Sequence, residues 1–260
     1  MENQILHSKI FAKPGTIPIL IFHGLFGMLD NWGTLGKKFS ENQEVHLIDL
    51  RNHGKSFHTE SMNYTEMSED IVNYMNHYSI EKAILLGHSL GGKAVMECAI
   101  KHSDLVEKLL VVDIAPKAYP PHHQEIIKAL KSVDFSKIKE RKEVENILSQ
   151  YIHETEVIQF LMKNVYRTDK NHFDFRFNLN TLSKDYNQLI NKPISFGKYE
   201  GPTLFISGEK SNYILPEDEF YIRQQFPKEK LVIVSKASHW VQADNLNEFF
   251  DVVNDFLLNS

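Results

Sequence analysis

Short apolar runs alternate with amphipathic stretches along most of this chain. "IPILIFHG" (17–24), "EVHLIDL" (44–50), "KAILLGHS" (82–89), "VEKLLVVDIAP" (106–116), "PTLFISG" (202–208) and "KLVIVS" (230–235) are rich in β-branched residues and predict strands. Between them, helical patterns cover 31–40, 64–78, 92–102, about 216–226 and 244–258; in the second, Met67, Ile71, Tyr74, Met75 and Tyr78 recur at helical spacing. The strands are continuously apolar, so both faces of their sheet must be covered. Strands and helices that alternate in this way predict an α/β fold with a doubly wound, mostly parallel sheet. The first ten or so residues predict an antiparallel edge hairpin.

The rhythm breaks between Pro116 and Pro202. "HHQEIIKALKSV", "SKIKERKEVENILSQYI" and "ETEVIQFLMKNVYRT" are amphipathic and helical, and "FDFRFNLNTLSKDYNQLIN" adds a dense aromatic patch. Residues 117–195 are therefore expected to form a helical lid, placed after the fifth of the buried parallel strands or its equivalent. Residues 1–116 and 196–260 would make up the core. Helices that merely cover one face of the sheet are the other reading of the same pattern.

Candidate chemistry centres on "LLGHSLGGK" (85–93), where glycines stand two residues before and two after Ser89. Between a strand and a helix, such a turn exposes the serine Oγ at the carboxyl edge of the sheet as a nucleophile, close to the free N–H groups of the helix N-terminus. A nucleophilic serine needs a base. Of thirteen histidines, His239 lies just past the last predicted strand and emerges at the same edge. His23 and His88 flank glycines and read as loop-orienting residues, His53 sits in a turn, and His122 and His123 adjoin in a lid loop. The loop "HGLFG" (23–27) is expected to bring the N–H of Leu25 beside that of Leu90 as an oxyanion hole, with Phe26 as the alternate donor. One such donor is worth roughly 3 kcal/mol in the transition state. For the acid, Asp113 ends the run "KLLVVD" on a strand expected to neighbour that of Ser89; Glu209 and Asp218 stay open as alternatives. Substrate-binding candidates are His23, Phe26, Phe173, Phe175, Arg176, Phe177, Tyr213 and Trp240. The alternating lid phenylalanines equally fit a packed core, and Lys117 and Arg176 are candidates to meet a charged substrate group.

Composition narrows the classes. At 260 residues and 42% hydrophobic content, the chain can bury a sizeable core of its own. Its net charge is −5, and its Lys and Arg residues form no stripe, which disfavours nucleic acid as a partner. The opening "MENQILHSKIFAKPG" has no apolar secretory core, and no run is long enough to cross a bilayer, so a cytoplasmic protein without membrane attachment is expected. The single cysteine, Cys98, sits in the apolar stretch "AVMECAI" and reads as a small buried hydrophobe. No histidine spacing suits a metal site, so no metal and no cofactor are expected.

Four motifs in order, "HGLFG", "DLRNHGKS", "GHSLGG" and "SHW", resemble the α/β-hydrolase superfamily over nearly the whole chain. "RNHGKS", "GKAVM", "VVDIAP" and "FRFNL" are more particularly similar to the bacterial YbfF-type esterases and their eukaryotic relatives. The resemblance implies a serine hydrolase of carboxylic esters or acyl thioesters, with a serine–acid–histidine triad and a helical lid. Small-molecule esters or thioesters would be its partners. In most of the superfamily the acid follows the strand that corresponds here to "TLFISG", a position held by Ser211, which cannot act as a carboxylate. The YbfF-type pattern implies Asp113 instead. Asp49 and Arg51 of "DLRNHGKS" are expected to tie down their loop. The "ASHW" at 237–240 departs from relatives with glycine before the histidine, which bears on loop shape. Carbon–carbon bond hydrolysis or acyl transfer on the same triad, and a non-catalytic binding protein of this fold, are the alternatives.

Overall fold

The computed structural model describes residues 4–259. Its main sheet has seven strands: β1 (Ser8–Phe11), β2 (Ile19–Phe22), β3 (Val45–Ile48), β4 (Ala83–His88), β5 (Val106–Val112), β8 (Thr203–Gly208) and β9 (Glu229–Val234). The spatial order is β1-β3-β2-β4-β5-β8-β9. Only the β1–β3 pair is antiparallel. β1 thus pairs with β3 and makes no hairpin with β2, a correction to the expected edge hairpin; Met1–Asn3 of that stretch lie outside the described residues.

The four residues of β2 show why the strands read as unbroken apolar runs. Leu20 and Phe22 enter a core shared with helices α2 (Tyr64–His77) and α3 (Leu90–Lys101), whereas Ile19 and Ile21 enter a second core with α1 (Gly33–Phe39) and α10 (Leu246–Asn259). Both faces are buried, as a parallel sheet with crossover helices requires. Asn63 caps α2 by accepting the Glu66 N–H at 2.9 Å. Cys98 of α3 is fully buried, which pushes its thiol up to about 12 and leaves it inert.

Register decides where the chemistry emerges. His88 pairs with Val112, and Val112 with Ile206, so Ser89 and Asp113 leave adjacent strands at the same edge, level with Ser207 of β8. The expected strand 106–116 stops at Val112 because Asp113 turns to φ 52°.

Between β5 and β8 lie α4 (Gln124–Lys131), α5 (Arg141–Leu148), α6 (Thr155–Met162) and α7 (Leu179–Ile190). The segment follows the fourth parallel strand, which is the fifth in chain order only when antiparallel β1 is counted. It also contains an antiparallel ribbon, β6 (Val165–Arg167) with β7 (Phe173–Phe175), where helix was expected to run through to Thr168. The β-branched and aromatic residues of "VYR" and "FDF" favour extended pairing, and Asn171 supplies a positive φ of 66° at the turn. Two further helices, α8 (Asp218–Gln225) and the short α9 (Val241–Asp244), flank β9 in sequence.

Candidate active site

Ser89 has φ 52° and ψ −113°, a conformation that costs a non-glycine residue on the order of 1–3 kcal/mol. It is held because the flanking glycines permit contacts that no side chain would. A Cβ on Gly91 would lie 2.6 Å from the carbonyl oxygens of Phe22 and His23, and one on Gly87 would lie 2.3 Å from the Gly91 oxygen. The Ser89 N–H donates to the Val112 carbonyl at 3.0 Å. Leu90 opens α3 directly after Ser89, so its N–H has no acceptor within the helix.

His239 and Asp113 meet although 126 residues separate them: Nδ1 of the imidazole lies 2.8 Å from Oδ2 of the carboxylate. Asp113 is completely buried. Its Oδ1 accepts from Ser207 Oγ at 3.2 Å and from the Gly208 N–H at 3.1 Å, and its Oδ2 also accepts from the Ser211 hydroxyl. Ser211, at the position where the superfamily's usual acid would sit, therefore donates to the carboxylate of Asp113, which follows the neighbouring strand. The alternatives are engaged elsewhere. Glu209 accepts the Lys236 N–H at 2.7 Å, and Asp218 pairs with Lys117 and accepts the Leu215 N–H at 2.8 Å. The His239 loop is held from below by His88, whose Nε2 lies 2.8 Å from the His239 carbonyl; burial, and then the neighbouring His239, keep the His88 pKa well below its ordinary value, so the ring is neutral and donates there.

The loop 23–27 is fastened by two more neutral histidines. His23 Nε2 accepts the Leu50 N–H at 3.1 Å, and its Nδ1 donates to the Gly24 carbonyl at 2.8 Å. His53 Nδ1 donates to the Arg51 carbonyl at 2.9 Å, and its Nε2 accepts the Phe26 N–H at 3.2 Å. Burial lowers the pKa of both, that of His53 the more. The Phe26 N–H, the alternate oxyanion donor, is thereby engaged by His53; Phe26 itself sits at φ 59°. Asn164, which sequence reasoning missed, reaches from the inserted segment to donate to the Phe26 carbonyl at 2.8 Å. Asp49 and Arg51 do tie down their loop: Asp49 accepts the N–H groups of Leu29 at 2.7 Å and Lys55 at 2.9 Å, and Arg51 pairs with Asp70 and Glu66.

A cavity of about 770 Å³ opens over Ser89 and His239. Leu25, Tyr213 and Trp240 line it, and Ile126, Val157, Phe160 and Leu161 of the inserted segment give it an apolar roof. Tyr213 stacks on the His239 ring, and Trp240 packs against Phe160 with ring centroids 5.3 Å apart. His23 and Phe26 border the cavity, but both nitrogens of His23 are committed to backbone groups and Phe26 is packed against Phe177. Phe173, Phe175, Phe177 and Arg176 do not line it, which corrects their expected substrate role. Phe175 stacks on Phe177 behind loop 23–27, Arg167 covers Phe173, and the Arg176 guanidinium lies over the Tyr166 ring at 4.4 Å. Lys117 does line the cavity, with its charge matched by Asp218. Among the described residues, no cluster of three or more His, Cys, Asp or Glu could hold a metal ion, and no helix is long and apolar enough to cross a membrane.

A parallel sheet carrying a strained serine between glycines, an imidazole and a buried carboxylate at one edge defines a class. Residues 17–246 match the family model described as the alpha/beta hydrolase fold, and the chain belongs to that family. It is 34% identical to "Esterase YbfF" of Escherichia coli (92% of each chain) and 35% identical to "sn-1-specific diacylglycerol lipase ABHD11" of Mus musculus (97% of this chain, 85% of that one). Among solved structures, "Marine microorganism esterase" superposes with a TM-score of 0.94 at 35% identity, over 97% of this chain and 99% of that one. The protein is accordingly an enzyme, a hydrolase of the esterase/lipase type.

Proposed function

We propose that the protein hydrolyses small-molecule carboxylic esters, and thioesters of the same acyl groups, through an acyl-enzyme on Ser89. The observation that carries this reading is the 2.8 Å contact between His239 Nδ1 and Asp113 Oδ2 under a cavity that His239 shares with the strained Ser89. With Nδ1 committed to the carboxylate, Nε2 is the nitrogen left to exchange a proton. Ser89 Oγ attacks the carbonyl carbon and gives its proton to His239 Nε2, and the tetrahedral oxyanion is received by the N–H groups of Leu25 and Leu90. The intermediate collapses with cleavage of the acyl–oxygen or acyl–sulfur bond, and the leaving alcohol or thiol takes the proton from His239. Water then attacks the acyl-enzyme with the same proton transfers, which releases the acid and restores Ser89. Asp113 keeps the imidazole in the required tautomer and stabilises its cationic form.

The apolar roof supports an acyl chain as the group bound above Ser89, and segment 117–195 is then the lid over the core formed by 1–116 and 196–260. Wild type and Ser89→Ala are to be assayed on p-nitrophenyl esters of increasing chain length and on acyl-CoA thioesters. Turnover by wild type that is lost in the variant is the expected result. Activity that survives in Ser89→Ala would remove the assigned nucleophile, and a wild type inactive on both panels would remove the substrate class.

A further inference from the structure

Resting on the reading of Ser89, Asp113 and His239 as a triad, we propose that Tyr213 is the positioning residue of the His239 imidazole, and that His122 makes this positioning depend on the seating of segment 117–195. The Tyr213 and His239 rings are stacked, 3.9 Å between centroids and 16° from parallel. Asp113 grips the imidazole at Nδ1 alone, and a bond at one ring atom leaves the ring free to tilt. A second aromatic plane against its face removes that freedom, so that Nε2 points consistently at one place.

Tyr213 is equipped for this because all three of its polar groups are tied. Its N–H donates to Ser211 Oγ at 3.2 Å, and Ser211 in turn donates to Asp113. Its carbonyl accepts from the Tyr119 hydroxyl at 2.6 Å, whose oxygen accepts the Ala115 N–H at 2.7 Å, two residues beyond the acid. Its phenol bonds to His122 Nε2. His122 is itself set: Nδ1 donates to the Pro120 carbonyl at 2.9 Å, which leaves Nε2 as the acceptor, and its N–H donates to the Tyr186 hydroxyl of α7 at 2.9 Å. Burial raises the Tyr213 pKa, so the phenol keeps the proton that it donates. One of the ties comes from the loop after β8, through Ser211, and two come from the inserted segment, through Tyr119 and His122. The stack is thus complete only when that segment is closed down on the core, which links substrate enclosure to orientation of the base.

The test begins with labelling of Ser89 by a fluorophosphonate in wild type; absence of labelling there overturns the triad and this proposal together. With labelling established, steady-state kinetics are measured on a short-chain p-nitrophenyl ester for Tyr213→Ala, Tyr213→Phe, His122→Phe and the Tyr213→Phe/His122→Phe double variant. Tyr213→Ala is expected to lower kcat by about 10- to 100-fold, the scale of a misoriented catalytic group, with KM within about twofold. Tyr213→Phe, which keeps the stack, should recover most of that loss. The two tether variants should each lower kcat by a few fold, and the double variant no further than either single one, because both remove the same bond. A Tyr213→Ala effect confined to KM would make the residue a substrate wall, and Tyr213→Phe falling as far as Tyr213→Ala would remove the stack as the cause. Additive tether variants would remove the coupling to His122.

Discussion

At the carboxyl edge of the sheet, His23, His53 and Asp113 are buried with both polar atoms of each side chain paired, while α4 and α6 of the inserted segment give the cavity an apolar roof of Ile126, Val157, Phe160 and Leu161, beside the hydrogen-bonded Lys117, Tyr119 and His122 at the start of that segment. The glycines divide the same way: all twelve lie outside residues 117–195. The edge needs close backbone approach and fixed donors, because transition-state charge is stabilised by dipoles already in place. The apolar roof needs only to exclude water and fit an apolar group, and packing that is non-directional tolerates more variation. Substitutions at the edge should therefore act on kcat or on folding, and substitutions in the apolar roof on substrate preference.

Asp113→Asn gives the sharpest edge effect. The amide keeps the volume but puts NH2 in place of one oxygen, facing donors either way: Ser207 and the Gly208 N–H at the Oδ1 position, or Ser211 and His239 at the Oδ2 position, where it favours the wrong His239 tautomer. A loss of roughly 10⁴ in kcat is expected by analogy with the serine-protease template. Glu209→Gln and Asp218→Asn should each change kcat less than tenfold. A collapse in either, with Asp113→Asn active, would overturn the assignment of the acid.

Gly91→Ala comes next. Its Cβ would meet two carbonyl oxygens at 2.6 Å, backbone atoms that cannot move without displacing β2. Destabilisation of about 4 kcal/mol or more, the exceptional end of single substitutions, should appear in denaturant unfolding. An unfolding midpoint close to that of wild type would mean that the edge yields as readily as the segment.

Lys93 sits at the seam between the two regions. It projects from α3, one turn beyond Ser89, and its Nζ donates to the carbonyl of Lys117, where the inserted segment begins. Burial, with the Lys117 charge adding to it, lowers its pKa from 10.5 to about 7. The unfolded chain thus holds a proton between about pH 7 and 10.5 that the folded chain has released, and stability from this group rises with pH across that window, its cost being complete below 7. Lys93→Met removes the dependence. The gap in unfolding free energy between variant and wild type should shrink by roughly 2 kcal/mol from pH 7 to pH 9. A constant gap would show that the ammonium is accommodated at the seam without cost.

What the sequence disclosed follows the same division. Ser89, Asp113 and His239 were legible because each stands at the end of an apolar strand, and parallel strand ends share an edge. The two cores were legible from runs such as "ILIF", apolar at every residue. Ties that cross the tertiary structure were not: Asn164 to Phe26, Ser211 to Asp113 and His122 to Tyr213 join residues 138, 98 and 91 positions apart, and nothing local marks them. Phe173, Phe175 and Phe177 illustrate the ambiguity of the segment, since alternating aromatics have the same pattern whether they face a cavity or pack behind a loop. Segment length and helical character were visible in amphipathic periodicity, but the β6–β7 ribbon was hidden in short apolar stretches that suit helix or strand equally.

Phe160→Ala should produce the smallest effect and the most informative one about the segment. Phe160 packs against Trp240 with the ring planes tilted by 39°, and both line the cavity. Its removal takes apolar surface from the acyl group without touching Ser89, the oxyanion loop or the His239 supports. One apolar contact of this kind discriminates by about 1 kcal/mol or somewhat more, so the ratio of kcat/KM for long-chain over short-chain p-nitrophenyl esters should fall about five- to tenfold. On the shortest ester, kcat should stay near the wild-type value, because the donors at the edge are unchanged. An equal fall on every chain length would instead place Phe160 among the supports of the edge, and the separation of a rigid edge from an adaptable roof would no longer hold.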